Sequence, residues 1–177
     1  RVSHYYFIFQ KMIKYNTLKA YDAIAESYKD YSKKRYNYLN TIEDLVVNFV
    51  NQNRSILDVG SGDGRRLKRI ASRVQFSKIL AIEPSHGMVK IFKKRTSFEV
   101  KNFKAENLSK KKIGKFSNVL FLWNVLGHLE DNYHRVLALK NINSILEDDG
   151  LLFLDVNNRH NAKNYGFFKV SWRRFID

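Results

Sequence analysis

Short, continuous apolar runs take turns along this chain with longer stretches whose apolar positions recur every three or four residues. The first pattern predicts strands buried on both faces, and the second predicts helices with one buried stripe. Residues 17–38 predict a helical, aromatic-rich segment with Tyr21, Ile24, Ala25, Tyr28 and Tyr31 at helical spacing. A capping-box-like start at Thr41-Ile-Glu-Asp44 predicts a second helix burying Ile42, Leu45, Val46, Phe49 and Val50. Strand one is expected over 55–59. The helix after it should bury Leu67, Ile70, Ala71 and Val74. Strand two is Lys78–Glu83, and Pro84 and Ser85 end it and start a helix through Met88, Val89 and Phe92. Strand three is expected near 98–103 and strand four at Val119–Trp123. A helix over about 131–146 should turn Val136, Leu137 and Ile145 inward. Asp148-Asp-Gly150 signals a turn before strand five, Leu151–Val156.

Strands alternating with helices imply an α/β fold, a doubly wound, mostly parallel sheet with right-handed crossovers. Ligands in such sheets bind beyond the carboxyl ends of the strands, where strand order reverses. Gly60, Glu83, Trp123 and Asn157 all fall at or just past expected strand ends.

The length of 177 residues fits one domain, with residues 1–40 expected as a helical cap and 41–177 as the core. At 44% hydrophobic residues the chain can bury a substantial core, and it has no cysteine, hence no disulfide framework and no thiolate metal site. A reducing cytoplasm is the simplest setting. No apolar run approaches membrane-spanning length, and Tyr5–Phe9 is too short for a signal-peptide core. The chain starts at Arg1 and not at Met, which is consistent with processing or trimming. Its five histidines show no metal-ligand spacing, and no nucleophile–base constellation is visible. The net charge of +15 attracts anions such as RNA, acidic metabolites or a membrane surface. Arg65, Arg66, Lys68 and Arg69, then Lys90, Lys93, Lys94 and Arg95, then Lys110, Lys111 and Lys112, carry much of that charge. They read as solvated surface in preference to a nucleic-acid patch, since no RNA-reading motif accompanies them.

The segment with the densest information is Ser55-Ile-Leu-Asp-Val-Gly-Ser-Gly-Asp-Gly64. Its strand enters a glycine turn that lets a ligand approach main-chain N–H groups. The spacing is G-x-G-x-G with an acid inside, unlike the G-x-G-x-x-G of dinucleotide sites, and no Lys-Ser/Thr follows as in a P-loop. A generic tight βα turn is the other reading of the same residues. The segment resembles motif I of the class I S-adenosylmethionine-dependent methyltransferases, and the resemblance runs from about Tyr21 to Asn158. It implies a Rossmann-like methyltransferase core with S-adenosyl-L-methionine as cofactor. Gly60, Ser61, Gly62 and Gly64 would hold the methionine end. Asp58 or Asp63 would suit a ligand carrying an ammonium and a sulfonium.

The same resemblance assigns further roles. Glu83 stands where the family has an acid that accepts from two ribose hydroxyls. Lys104-Ala-Glu-Asn-Leu108 stands where it often has Asp-Ala-Glu-Asp-Leu. The residue matching the adenine-binding Asp is thus a donor, Lys104, leaving the Ala105 N–H and Glu106 to meet the ring. The segment from Trp123 to His128 resembles the stretch whose backbone meets the cofactor's amino group near Trp123 or Asn124. Asn124, polar at the end of an apolar run, is expected to face the pocket. His128 is either the base that takes the acceptor's proton or a packing residue. Tyr21-Asp-Ala-Ile-Ala-Glu-Ser-Tyr28 resembles the family's N-terminal cap, from which Tyr21, Tyr28 and Arg35 would close over the methionine end, Arg35 by a forked contact with its carboxylate. Tyr21 reads equally as part of a core stripe. Asn157, Asn158, Arg159, His160, Asn161 and Tyr165 either shape an acceptor site or form an ordinary polar loop.

The family usually adds two more strands after strand five, and the short stretch after Val156 cannot supply both. Strand five is therefore expected at or near an open edge. A trimmed chain, a homodimer covering the edge, or a C-terminal segment folded over it would each account for this. The expected activity is methyl transfer to a small-molecule acceptor. An RNA methyltransferase and a catalytically silent cofactor-binding fragment stay open beside it, while the glycine spacing argues against a nicotinamide oxidoreductase.

Overall fold

The computed structural model describes residues 17–33, 35–108 and 113–158. Among the described residues three helices, α1 (Thr17–Ile24), α2 (Tyr28–Lys33) and α3 (Tyr36–Phe49), precede the sheet. Then β1 (Ser55–Val59), α4 (Arg65–Ala71), β2 (Lys78–Ile82), α5 (His86–Arg95) and β3 (Glu99–Lys101) alternate. They are followed by β4 (Phe116–Phe121), α6 (Asn132–Ile145) and β5 (Leu146–Leu154). The strand order is β3-β2-β1-β4-β5, and every pairing is parallel. The α/β class, the parallel sheet and, among the described residues, the edge position of β5 agree with the sequence expectation.

Both faces of the central strands are covered, and β1, β2 and β4 are accordingly almost wholly buried, while the edge strands β3 and β5 are part-exposed. Leu57, Val59, Leu80, Ile82, Val119 and Phe121 pack against Ala138, Ile142 and Ile145 of α6. On the opposite face Ile56 and Leu120 pack against Val46 of α3 and Ile70 of α4, and Ala81 packs against Leu67 and Phe92.

Several boundaries differ from the pattern reading. The helix expected from Thr41 begins at Tyr36, with Arg35 as its N-cap, so it runs through residue 40. Thr41 sits inside it and donates to the Asn37 carbonyl, so there is no capping box there. The buried stripe is Leu39, Glu43, Val46 and Val50, while Leu45 and Phe49 face solvent. The rotation follows from Glu43, which is drawn inside by a charge-assisted bond from Arg69 of α4 at 2.6 Å. Ala71 is only partly buried, and Val136 points outward on α6, whose inner stripe is Ala138, Ile142 and Ile145. Strand β4 starts at Phe116, and β5 starts at Leu146. The Asp148–Gly150 signal lies inside β5, as an irregularity between the Phe116 and Asn118 pairings.

In the first basic group only Lys68 is exposed as expected; its three arginines are drawn into ion pairs. Arg66 is fully buried and pairs with Asp58, Arg65 pairs with Asp63, and Arg69 pairs with Glu43. Arg95 of the second group also pairs with Asp63, whereas Lys90, Lys93 and Lys94 are exposed. Lys110–Lys112 lie outside the described residues. The β5 edge carries part-exposed Leu151, Leu152 and Leu154.

A buried amide ties the sheet to the chain before it. Asn118 on β4 accepts from the Asn51 N–H at 2.9 Å and donates to the carbonyls of Asn51 and Ser55 at 2.9 and 3.1 Å. Asn118→Ala leaves those groups buried and unpaired, and we expect a loss of about 3 kcal/mol, read as a lower urea midpoint at unchanged m-value.

Candidate functional site

Strand order reverses between β1 and β4, and the chain diverges there to opposite faces of the sheet. A cavity of about 530 Å³ opens beyond the carboxyl ends of those strands, within the size range of small-ligand sites.

The glycine turn forms its floor. The Gly60 and Ser61 N–H groups both donate to the Ile82 carbonyl, at 2.9 and 3.1 Å, which docks the turn on β2. Gly60 is left-handed, and a Cβ there would stand 2.6 Å from Val125. Gly62 is also left-handed, but a Cβ there would meet only Tyr28, at 4.0 Å. Its bare face therefore belongs to the cavity and not to protein packing. Ser61 Oγ is buried without a hydrogen-bond partner.

Glu83 follows β2 directly and is 6% exposed. Its carboxylate accepts from the Gly62 N–H at 2.8 Å and from the Ser85 N–H at 2.9 Å, so the acid braces the glycine turn and the start of α5 together. Burial pushes its carboxyl up from the ordinary 4.5 to about 7, and the two N–H bonds oppose that rise.

Two acids expected near a cationic ligand are already engaged. Asp58 is fully buried, bonded by the Arg66 guanidinium, and Arg66 also lies 4.9 Å over the Trp123 ring. Burial pushes the Asp58 carboxyl up and Arg66 pulls it back. Asp63 pairs with Arg65 at 2.7 Å and Arg95 at 2.5 Å. Neither acid lines the cavity, nor does Gly64, whose α-carbon faces Phe92.

The opposite wall comes from the segment after β4. Trp123 and Asn124 both hold left-handed backbones, at φ 64° and 61°. Such a pair persists only where the surroundings over-determine it. Here the Asn124 N–H donates to Asp155 at 2.6 Å, its side chain accepts from the Asn157 N–H at 3.0 Å, and Tyr38 donates to Asp155 at 2.8 Å. The Asn124 side chain thus locks two strand ends together and does not line the cavity, contrary to the sequence expectation. Trp123 does line it.

Lys104, Ala105 and Glu106 form a third side. Lys104 is exposed, and Glu106 Oε2 is buried with no hydrogen-bond partner. The roof is α1. Asp22 accepts from the Ser85 hydroxyl at 2.6 Å and the Gly87 N–H at 2.8 Å, and Tyr21 reaches across to His128 Nε2 at 3.0 Å. Tyr28 and His128 line the cavity; Arg35 is exposed and does not, although its charge acts on both Tyr21 and His128. Asn157 and Asn158 are exposed, and Arg159, His160, Asn161 and Tyr165 lie outside the described residues. Val125, Phe103 and Arg135 also line the cavity, and pattern reading did not single them out. Val125 merely continues an apolar run, and Arg135 looks like any helix-surface charge.

Among the described residues no cluster of His, Asp and Glu has metal-ligand geometry, and no helix is long and apolar enough to cross a membrane.

Comparison with known proteins adds a family. Residues 31–174 match the model of a methyltransferase domain. An uncharacterized protein of Methanocaldococcus jannaschii is 29% identical over 144 residues, covering 81% of this chain and 52% of that protein. The malonyl-[acyl-carrier protein] O-methyltransferase of Priestia megaterium is 32% identical over 82 residues, 46% of this chain and 28% of that protein. The chain thus spans about half the length, or less, of the curated relatives it matches. Among solved structures, the DhpI–SAM–HEP complex superposes with a TM-score of 0.68 at 15% identity, covering 82% of this chain and 66% of that one. At that identity the likeness speaks for the fold.

The raised Glu83 carboxyl sets a sign for stability. The folded protein keeps a proton that the unfolded chain releases, so the stability tied to this group is full below pH 4.5 and declines as pH rises through about 7. Glu83→Gln removes this term. Between pH 5 and 8 its unfolding free energy should gain on the wild type by up to about 3 kcal/mol, measured by denaturant titration; parallel curves would refute the assignment.

Proposed function

The chain belongs to the methyltransferase-domain family, and on that premise we propose that it transfers a methyl group from S-adenosylmethionine to a small-molecule acceptor. The observation that carries the reading is the open left-handed Gly62 beside a buried acid at the end of β2. Side-chain-free backbone and a bidentate acceptor meet there on one cavity wall.

The residues present fit that cofactor. Each Glu83 oxygen has one N–H partner and keeps a lone pair for a ribose hydroxyl. Glu106 Oε2, buried and unpartnered, suits an exocyclic amine in place of the carboxylate that Lys104 displaces. The Ala105 N–H is the proposed ring contact. Gly60, Ser61 and Gly62 would face the amino-acid tail, with Tyr28 and Trp123 as apolar walls. Asp58, Asp63, Gly64, Asn124 and Arg35 support these contacts from behind. Asp58 anchors Arg66, Asp63 ties α4 to α5, Gly64 admits Phe92, Asn124 fixes the wall, and Arg35 adds positive charge near a carboxylate-bearing ligand. The bound cofactor supplies a methyl on sulfonium, and the protein's task is alignment and exclusion of water.

The roof favours a small acceptor. Helix α1 lies over one side of a cavity of about 530 Å³, a volume that suits a small acceptor beside the cofactor. The net charge alone speaks for RNA. His128, at the cavity wall beside the roof, is the proposed proton acceptor.

Calorimetry with S-adenosylmethionine tests the reading. Gly62→Val should abolish the heat of binding, while Glu83→Ala should weaken affinity by about 1–3 kcal/mol. Wild-type affinity should fall as pH drops from 8 to 6, because protonation removes an acceptor from the ribose contact, and Glu83→Gln should be weak and pH-independent. Unchanged affinity in Gly62→Val sinks the reading.

A further inference from the structure

The nitrogen through which His128 would take a proton is already occupied. His128 Nε2 lies 3.0 Å from the Tyr21 hydroxyl, and the two rings meet edge to face at 5.5 Å and 83°. The partners are 107 residues apart in sequence, one on the roof helix and the other after β4, and both line the cavity. A hydrogen bond that crosses a ligand cavity from roof to wall is exposed to whatever enters. We propose that Tyr21 and His128 form a proton relay in which the phenol oxygen of Tyr21, and not the imidazole, meets the proton-bearing atom of the methyl acceptor. The proposal rests on the methyl-transfer reading above.

The protonation states give the relay its direction. Burial, then Arg35, holds the His128 imidazole below its ordinary range, so it is neutral at neutral pH. Burial pushes the Tyr21 phenol far up, with Tyr28, Tyr31 and Glu83 acting the same way and Arg35 opposing them, so it stays protonated. With a protonated phenol and a neutral imidazole, the relay takes the tautomer in which the Tyr21 O–H donates to Nε2 and the imidazole proton sits on Nδ1. The phenol oxygen keeps lone pairs for the acceptor's hydrogen.

In the transfer step the bond from the acceptor atom to the methyl carbon forms as the carbon–sulfur bond of the sulfonium donor breaks, its electron pair staying on sulfur. The acceptor's proton passes to Tyr21 oxygen, and the Tyr21 proton passes to His128 Nε2. The result is a methylated acceptor, a neutral thioether and an imidazolium. One positive charge enters and one leaves, and nothing is oxidised or reduced. The relay has use only for an acceptor that carries a proton when it attacks. It therefore selects hydroxyl or amine N–H acceptors, and a carboxylate would gain nothing from it.

Nitrogen-resolved NMR of the histidine-labelled protein reads the pair without any acceptor, with the signal assigned by its loss in His128→Gln. The expected spectrum shows His128 as the Nδ1–H tautomer with Nε2 accepting, titrating below the ordinary histidine range. In Tyr21→Phe the tautomer balance should move toward Nε2–H. An Nε2–H tautomer in the wild type, or a spectrum unmoved in Tyr21→Phe, overturns the relay. Turnover of S-adenosylmethionine, scored as thioether product against hydroxyl, amine and carboxylate panels, gives the second readout. Tyr21→Phe and His128→Gln should each lose about 100-fold with a hydroxyl or amine acceptor, and the double variant should be no worse than either. Independent losses that multiply, or turnover confined to carboxylates, also overturn it. If the wild type gives no heat with S-adenosylmethionine, the methyl-transfer reading has failed, whereas the NMR outcome judges the pair separately.

Discussion

The ion pair between Asp58 and Arg66 is the constraint on which the rest of the structure depends. A carboxylate near the carboxyl end of a central strand, with no exposure, is tolerable only if a cation comes with it. Arg66 comes from the first turn of α4, just past the glycine turn, and so the chain must double back sharply to bring it there. The same guanidinium donates to the Gly60 carbonyl at 3.3 Å and stacks on Trp123. One side chain thereby joins β1, the glycine turn, α4 and the end of β4. Those are the two walls of the crevice where strand order reverses.

Around that centre the site is held by groups that do not themselves line the cavity. Asp155 takes the Asn124 N–H and the Tyr38 hydroxyl, so two successive left-handed residues at the end of β4 are braced from β5 and from α3. Asp22 clamps the roof helix to the start of α5 through Ser85 and Gly87, and a Cβ at Gly87 would stand 3.0 Å from the Asp22 carbonyl oxygen of α1. Glu83 joins the glycine turn to the same helix start. The result is a wall, a floor and a roof fixed by separate anchors. Polar atoms left without protein partners, Ser61 Oγ and Glu106 Oε2, gather at the same place. Trp123 Nε1 on the same cavity lining and Thr96 Oγ1 away from it are also buried without a hydrogen-bond partner, and the three such groups on cavity-lining residues suit a polar ligand.

Much of this was legible in the residues. The apolar runs placed β1 and β2 closely, because strands buried on both faces leave a clear mark, whereas β3 is a short, part-exposed edge strand inside the expected 98–103. Ser85 capped its helix as its position implied, accepting from the Met88 N–H. The glycine spacing pointed to the correct turn, and Glu83 fell at the strand end where an acid was expected. Pattern reading failed where a charge was buried. Glu43 inside α3 turned that helix away from its most apolar stripe, and Arg66 was taken for surface. Periodicity treats every charged residue as solvent-facing, and it has no means of seeing a partner supplied by another helix.

By itself, then, the order of residues determined the element types, the parallel sheet and the strand ends beyond which the cavity opens, since each is a local consequence of period, turn chemistry and backbone freedom. Tertiary structure alone decided what the polar groups do there. Asp58 and Asp63 became internal struts, Asn124 a lock between strand ends, and Tyr21 the partner of His128. Those outcomes depend on which groups from distant parts of the chain arrive at the same point, and on how little water remains when they do.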